Sequence, residues 1–121
     1  MLSERSLYLS EKSTYASEVN SIVLAEYIRA GNAAQAEGNY HEAYENWQRA
    51  EKLDPNGSAA NSLAELEEQA SAIYRDGYRM ETANLRRAKQ KWEEVLTIVP
   101  PGSEYYTKAT AKLRWYAQLR Q

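Results

Sequence analysis

Residues 38–57 read GNYHEAYENWQRAEKLDPNG, a stretch that combines one helical pattern with residues that would begin and end it. Ala43, Trp47 and Ala50 recur at three- and four-residue intervals, which places them on one face of a helix. A glycine-asparagine pair precedes this pattern, and the run DPNG follows it with residues that favour a turn. The stretch therefore predicts a complete helix near residues 40–53.

A second copy of this pattern, AKQKWEEVLTIVPPG, occupies residues 88–102. Ala43, Trp47 and Pro55 each have a counterpart of the same type 45 residues later, at positions 88, 92 and 100. Serines at positions 13, 58 and 103 share this spacing, and a serine hydroxyl can accept hydrogen bonds from the unpaired amides of a helix start. The spacing predicts a single domain with repeats at 13–57 and 58–102 and a half repeat or capping helix at 103–121. Residues 1–12 would be a tail or a partial helix.

The glycine and proline positions divide the chain into about five predicted helices and therefore an all-α fold. The expected helices lie near 14–37, 40–53, 59–82, 85–98 and 103–119, arranged as an antiparallel helix-pair solenoid. Gly31 falls inside the first helix, where the lack of a side chain usually reflects close approach of another helix.

The chain resembles the tetratricopeptide repeat, whose pattern is W-x2-L-G-x2-Y, then A-x3-F, then P. In EYIRAGNAAQAEGNYHEAYENWQRAEKLDP, Tyr27 stands at the first aromatic position, Ala30-Gly31 at Leu-Gly, Ala43 and Trp47 at A-x3-F, and Pro55 at the proline. The second unit needs a one-residue shift to place Gly77 at the glycine position. The family period is about 34 residues, so eleven extra residues are best placed in a lengthened first helix, where they add close to three turns. HEAT and armadillo repeats, with periods of about 40 to 47, are the alternative family.

This resemblance implies a concave groove, lined by the first helix of each unit, that binds a peptide or a partner helix. Carried over to this sequence, the groove positions are Ile28, Arg29, Asn32, Gln35, Tyr74, Arg75, Tyr78, Glu81, Thr107 and Arg114. An array that ends on a half repeat also exposes an apolar end. We expect this end to be capped, or paired with another copy of the chain, by Trp115, Tyr116 and Leu119.

Composition and motifs argue against an enzyme and against a cofactor or metal site. The chain has no cysteine and one histidine, His41, which is expected to be exposed in the first turn of its helix. Adjacent glutamates such as Glu67 and Glu68 point about 100° apart on a helix and are expected to be solvated. No phosphate-binding or nucleophile-elbow motif is present.

Charge and hydropathy narrow the class of partner. Residues 1–85 carry a net charge of −7 and residues 86–121 a net charge of +5, a basic density too low to predict nucleic-acid binding. No apolar run approaches the length of a membrane span, so a cytoplasmic location without membrane insertion is expected.

The predicted function is a protein-binding adaptor or scaffold. The alternative is a structural or self-oligomerising segment of a larger protein, whose helix-pair ends stack on neighbours. Residues 77–109, GYRMETANLRRAKQKWEEVLTIVPPGSEYYTKA, also resemble repeat regions of bacterial forkhead-associated signalling proteins.

Overall fold

The computed structural model describes the backbone of residues 4–119 and the side chains of residues 15–119. Within that range the chain forms five α-helices and no strand, which confirms the predicted all-α class and helix number. The helices are α1 (Glu4–Ala36), α2 (Tyr40–Leu53), α3 (Ser58–Met80), α4 (Leu85–Ile98) and α5 (Glu104–Leu119). Residues 1–3 of the predicted tail and residues 120–121 of the predicted half repeat lie outside the described residues.

The helix ends agree with the sequence prediction except at the start of α1. The bounds of α2 and α4 are those predicted, and those of α3 and α5 differ by at most two residues. The prediction that the first helix begins near residue 14 is wrong, because α1 already begins at Glu4. No glycine or proline lies between residues 4 and 30, so no local signal interrupts the helix there.

The turn between α1 and α2 depends on a glycine with left-handed backbone geometry. Gly38 has a φ of +82°, a conformation that a residue with a Cβ adopts at a cost. Its amide donates to the carbonyl of Gln35 at 3.0 Å, and the Asn39 amide donates to the carbonyl of Ala34 at 2.9 Å. This pair of bonds is a Schellman motif, which satisfies the last carbonyls of α1 and turns the chain toward α2.

The expectation that the three serines cap helix starts is not met. Ser13 lies inside α1, and Ser58 is the first residue of α3, whose N-cap is Gly57. Ser103 does precede α5, but its hydroxyl donates to the side chain of Glu67 at 2.9 Å. Asn84 is the residue that caps a helix in the expected way, because its side-chain oxygen accepts from the Arg87 amide at 3.1 Å.

The two most extensive helix contacts are between α1 and α2 and between α3 and α4. α2 also packs against α3, and α4 against α5, while the contacts of α3 with α5 and of α2 with α4 are narrower. Within the described residues, α1 makes no contact of comparable extent with α3. α2 therefore lies between α1 and α3 in the packing order, and α4 lies between α3 and α5.

Each of the two main helix pairs is built on a glycine that faces a buried tryptophan. A Cβ at Gly31 would lie 2.5 Å from Trp47 Cδ1, and a Cβ at Gly77 would lie 2.6 Å from Trp92 Nε1. Both indoles are buried, with at most 1% of their surface exposed. The indole N–H groups donate to the side chain of Asn32 and to the carbonyl of Tyr74, respectively. Because the two contacts are equivalent, the tryptophans that lie 45 residues apart belong to two copies of the same glycine–tryptophan packing.

Small and branched side chains complete the core around the tryptophans. Alanines lie at the helix contacts, where they allow backbones to approach closely, and Leu66, Val95 and Val99 fill the remaining space. The buried alanines are Ala34, Ala43, Ala50, Ala59, Ala70, Ala88 and Ala109. The core therefore includes residues of all five helices, and candidate functional residues have to be sought on the surface.

Candidate protein-binding surface

α3 and α5 are held together by an aromatic contact between the second half of α3 and the first turn of α5, and by a polar contact between the end of α3 and the second half of α5. The rings of Tyr74 and Tyr105 are tilted by 53° with centroids 6.0 Å apart. Near the end of α3, Glu81 accepts two hydrogen bonds from Lys112 Nζ, at 2.9 and 3.0 Å, and one from the Tyr116 hydroxyl. These contacts position the side chains that lie between the two helices.

A cleft of about 330 Å³ lies between α3 and α5 and has apolar and basic side chains along its walls. Tyr74, Lys108, Ala111, Lys112 and Trp115 line it. We call this cleft, together with the exposed side chains at its border, the α3–α5 groove.

Three large apolar side chains at this border are exposed to solvent. Tyr78 is 59% exposed, Trp115 57% and Leu119 62%. Tyr78 belongs to the groove because its ring lies 4.8 Å from Nζ of the cleft residue Lys112, and Leu119 lies one helical turn beyond Trp115. Exposed tryptophan and tyrosine near each other are typical of protein interfaces, whereas scattered single apolar residues need no partner.

Glu81 lies directly after α3, at one end of the groove, where its carboxylate binds the cleft residue Lys112. The hydrogen bond from Tyr116 and the ammonium of Lys112 hold the pKa of the Glu81 carboxyl below its usual range. The hydrogen bond to Glu81, together with burial, raises the pKa of the Tyr116 hydroxyl. Lys112 also lies 5.5 Å from the Trp92 ring, so Glu81 keeps a cation in place over two aromatic rings. The Glu81 carboxylate thus binds Lys112 and Tyr116 of its own chain.

The predicted groove residues on α1 lie away from the α3–α5 groove. Arg29 and Gln35 are exposed and Ile28 is half-buried, and Arg29 forms an ion pair with Glu26 on the same helix. Asn32 accepts the hydrogen bond from Trp47 Nε1 at 3.3 Å and so supports the α1–α2 contact. The structure does not bring these four positions together with those of α3.

On α3 and α5 the predicted positions fall into two groups. Tyr74 and Tyr78 belong to the α3–α5 groove, and Arg75 is exposed one residue further along, paired with Glu68 at 3.3 Å. Thr107 and Arg114 instead line a neighbouring cleft of about 330 Å³ between α5 and the turn before it, which shares Ala111 with the first cleft. The one predicted concave surface is therefore divided, and its aromatic part lies between α3 and α5.

The three residues expected to cap the array also have different positions. Tyr116 stacks on Trp92 with ring centroids 6.0 Å apart and an interplanar angle of 14°, so it covers the core. Trp115 and Leu119 remain exposed. α5 thus closes the core with one face and presents apolar side chains with another.

Two residues expected to be solvated instead connect helices. Glu67 accepts from the Tyr44 hydroxyl at 2.6 Å and from the Ser103 hydroxyl at 2.9 Å, which joins α2, α3 and the turn before α5. Burial, together with the hydrogen bond to Glu67, raises the pKa of Tyr44. His41 is half-buried, and its Nε2 donates to the Leu96 carbonyl at 2.6 Å.

Sequence reasoning missed Glu67 and His41 as connecting residues and Lys108, Ala111 and Lys112 as groove residues. The only local signal for Lys108 is its position four residues after Glu104, with which it forms an ion pair at 3.0 Å. That ion pair raises the pKa of Lys108. Because the other contacts join different helices, no pattern within one helix could reveal them.

Among the residues that the structure describes, no group of three histidine, aspartate or glutamate side chains is arranged to hold a metal ion. In the same part of the chain, no helix is long and apolar enough to cross a membrane. Comparison with known proteins gives no match to a family model, to a curated protein or to a solved structure. The function must therefore be inferred from the surface itself.

Proposed function

We propose that this protein is a tetratricopeptide-like helical repeat protein that binds a helix or an extended peptide of a partner protein in the α3–α5 groove. The repeat assignment is supported by the two equivalent glycine–tryptophan contacts and by the order of helix packing, in which each even-numbered helix contacts both of its neighbours. The proposed arrangement is a solenoid of antiparallel helix pairs.

The observation that carries the binding proposal is the grouping of exposed aromatic side chains at one groove. Tyr78 and Trp115 together offer large apolar surfaces, and Tyr74 extends this surface toward the cleft. An aromatic anchor that becomes fully covered can contribute more than about 2 kcal/mol to binding. A partner segment with apolar anchors would therefore gain most of its affinity here.

Charges at the border of the groove indicate the character of the partner. Lys108 and Lys112 lie in the cleft, and Arg75, which pairs with Glu68, is exposed on α3. Rim charges influence the rate and specificity of association more than its affinity. We infer a partner segment with apolar residues on one face and carboxylates beside them.

The groove is tested by replacing both Tyr74 and Tyr78 with alanine and measuring capture of proteins from the native source. We expect the partner captured by the groove to be lost, while a Leu53→Ser variant, which alters an exposed apolar residue outside the groove, retains it. Circular dichroism establishes that all three chains keep their helices. Unchanged capture by the folded double variant would refute the groove assignment.

Trp115 provides a direct signal for the purified complex. It is exposed, whereas the other two tryptophans are buried, so partner binding in the groove should shift only its emission to shorter wavelength. A Trp115→Phe variant provides the reference without this signal.

A further inference from the structure

α1 carries a second exposed apolar surface, on the side opposite to its contact with α2. Tyr15 is 70% exposed, Ile22 64% and Val19 38%. Their spacing of four and then three residues places them on one face of the helix. Leu24 and Gly31, which lie against the core or the α2 tryptophan, are on the other side of α1. We call Tyr15, Val19 and Ile22 the α1 stripe.

The α1 stripe has the form of a ligand for a groove between two helices. An amphipathic helix that binds such a groove uses apolar anchors at positions i, i+3 or i+4, and i+7. Tyr15, Val19 and Ile22 occupy positions i, i+4 and i+7, and the exposed carboxylates of Glu18 and Glu26 flank them. These are the features inferred above for the partner segment.

We propose that the α3–α5 groove binds the α1 stripe of a second copy of this chain. The inference rests on the proposed function of the groove and specifies its partner. The contact is heterologous, because the stripe of one copy meets the groove of another instead of meeting its own equivalent.

The charge distribution favours this pairing over contacts between identical surfaces. Residues 15–28, which include the stripe, contain two acidic residues, Glu18 and Glu26, and no basic one, a balance of −2. The α5 wall, residues 104–119, which supplies most of the cleft lining, contains three basic residues and one acidic residue, a balance of +2, whereas the α3 wall, residues 58–80, has a balance of −2. Contact of the stripe with the α5 wall brings opposite charges together, whereas stripe-to-stripe or α5-to-α5 contact would bring like charges together.

The surface area of the chain is consistent with a further interface. The chain exposes 8551 Å², whereas a compact protein of 13.8 kDa exposes about 6,600 Å². A stable interface buries roughly 1,600 Å² in total, about 800 Å² from each partner, so a copy that uses both its stripe and its groove would bury about 1,600 Å² of its own surface. Association would therefore cover about as much surface as this elongated chain exposes in excess.

Complementation between two variants tests the proposal by sedimentation equilibrium. Ile22→Ser damages the stripe and leaves the groove intact, and Trp115→Ala damages the groove and leaves the stripe intact. We expect the wild-type chain to associate, and its affinity to fall at high salt. Each single variant should self-associate with an affinity at least about tenfold lower than that of the wild type. An equimolar mixture should recover heterodimers, because it contains one intact stripe and one intact groove. Leu53→Ser, which changes an exposed apolar residue outside both surfaces, is the matched control and should associate like the wild type.

Each alternative gives a different result that would overturn the proposal. Stripe-to-stripe association would leave Trp115→Ala unaffected, and groove-to-groove association would leave Ile22→Ser unaffected. A mixture without heterodimers, or a wild-type chain that stays monomeric at high micromolar concentration, would equally exclude the proposed contact. Circular dichroism of both variants establishes that lost association does not reflect unfolding.

The Ile22→Ser variant also separates this inference from the binding of other proteins. If the wild type is monomeric while Ile22→Ser captures a partner in a Tyr78-dependent manner, the α1 inference fails and the groove proposal stands. If self-association and its complementation are observed but Tyr74→Ala/Tyr78→Ala leaves the affinity unchanged, the stripe binds elsewhere and both assignments to this groove fail.

Discussion

Replacement of Gly31 by alanine tests the packing of the first helix pair through the sign of the stability change. On an exposed helix surface this substitution stabilises by about 1 kcal/mol, because alanine has the higher helix propensity. At Gly31 the new Cβ would lie 2.5 Å from Trp47 Cδ1, whereas ordinary carbon–carbon contacts lie at about 3.5–4.0 Å. The indole would have to move by about 1 Å within a closely packed core.

The expected magnitude follows from these two opposing effects. Overpacking of a core costs about 1–3 kcal/mol, and the required displacement of a fully buried ring indicates the upper end of that range. After subtraction of the gain in helix propensity, we expect Gly31→Ala to lower the free energy of unfolding by about 2 kcal/mol. For a chain of this length the midpoint of thermal unfolding should fall by roughly 8 °C.

Urea denaturation followed by circular dichroism measures the change, and two further variants identify its cause. In a Trp47→Leu background the obstructing indole is absent, so Gly31→Ala should become stabilising by about 1 kcal/mol. Gly38→Ala is the control for backbone strain, since no atom lies within 4 Å of its added Cβ, and its cost should not depend on Trp47. An increase in stability on Gly31→Ala in the wild-type background would refute the packing argument.

Three further results are expected. Glu67→Ala should lower the free energy of unfolding by about 3 kcal/mol in urea denaturation, because it leaves two hydroxyl groups without their charged acceptor; a cost within error of zero would contradict this role. The lowered pKa of Glu81 means that its contribution to stability is present above its unfolded pKa, near 4.5, and is lost as the pH falls through the lower folded value. The stability difference between the wild type and Glu81→Gln should therefore narrow below about pH 4 in acid titrations. A difference independent of pH would show that Tyr116 and Lys112 do not stabilise the ionised carboxylate. Acrylamide should quench one of the three tryptophans readily, and Trp115→Phe should remove that accessible component; retention of it would place the exposed indole elsewhere.

Local signals in the sequence were sufficient for most helix boundaries. The bounds of α2 and α4 were predicted because glycine, asparagine and proline disrupt helices through backbone geometry, which acts within a few residues. The repeat spacing of Ser13 predicts a start of α1 ten residues too late, because this serine lies inside the helix. Spacing alone does not make a cap when no helix-breaking residue precedes it.

The candidate surface was predicted only in part. Tyr74, Tyr78 and Trp115 were identified as surface residues, but the α1 positions proposed beside them lie at a different helix contact. The divergence of adjacent glutamates on one helix predicts a solvated Glu67, but Tyr44 and Ser103, which bind it, lie outside that helix. Its partners are 23 and 36 residues away in the chain, so only the packing of the helices reveals them.

The sequence by itself determined the helical class, the number of helices and the repeated alternation of small residues with tryptophan. These features follow from backbone propensity and from periodicity within one helix, which are local properties. The tertiary structure decided which faces meet: that Gly31 and Gly77 each contact an indole, that Glu81 binds Lys112, and that exposed Trp115 borders a groove. Such contacts depend on the crossing geometry of whole helices, and small rotations of a helix exchange its buried and exposed side chains.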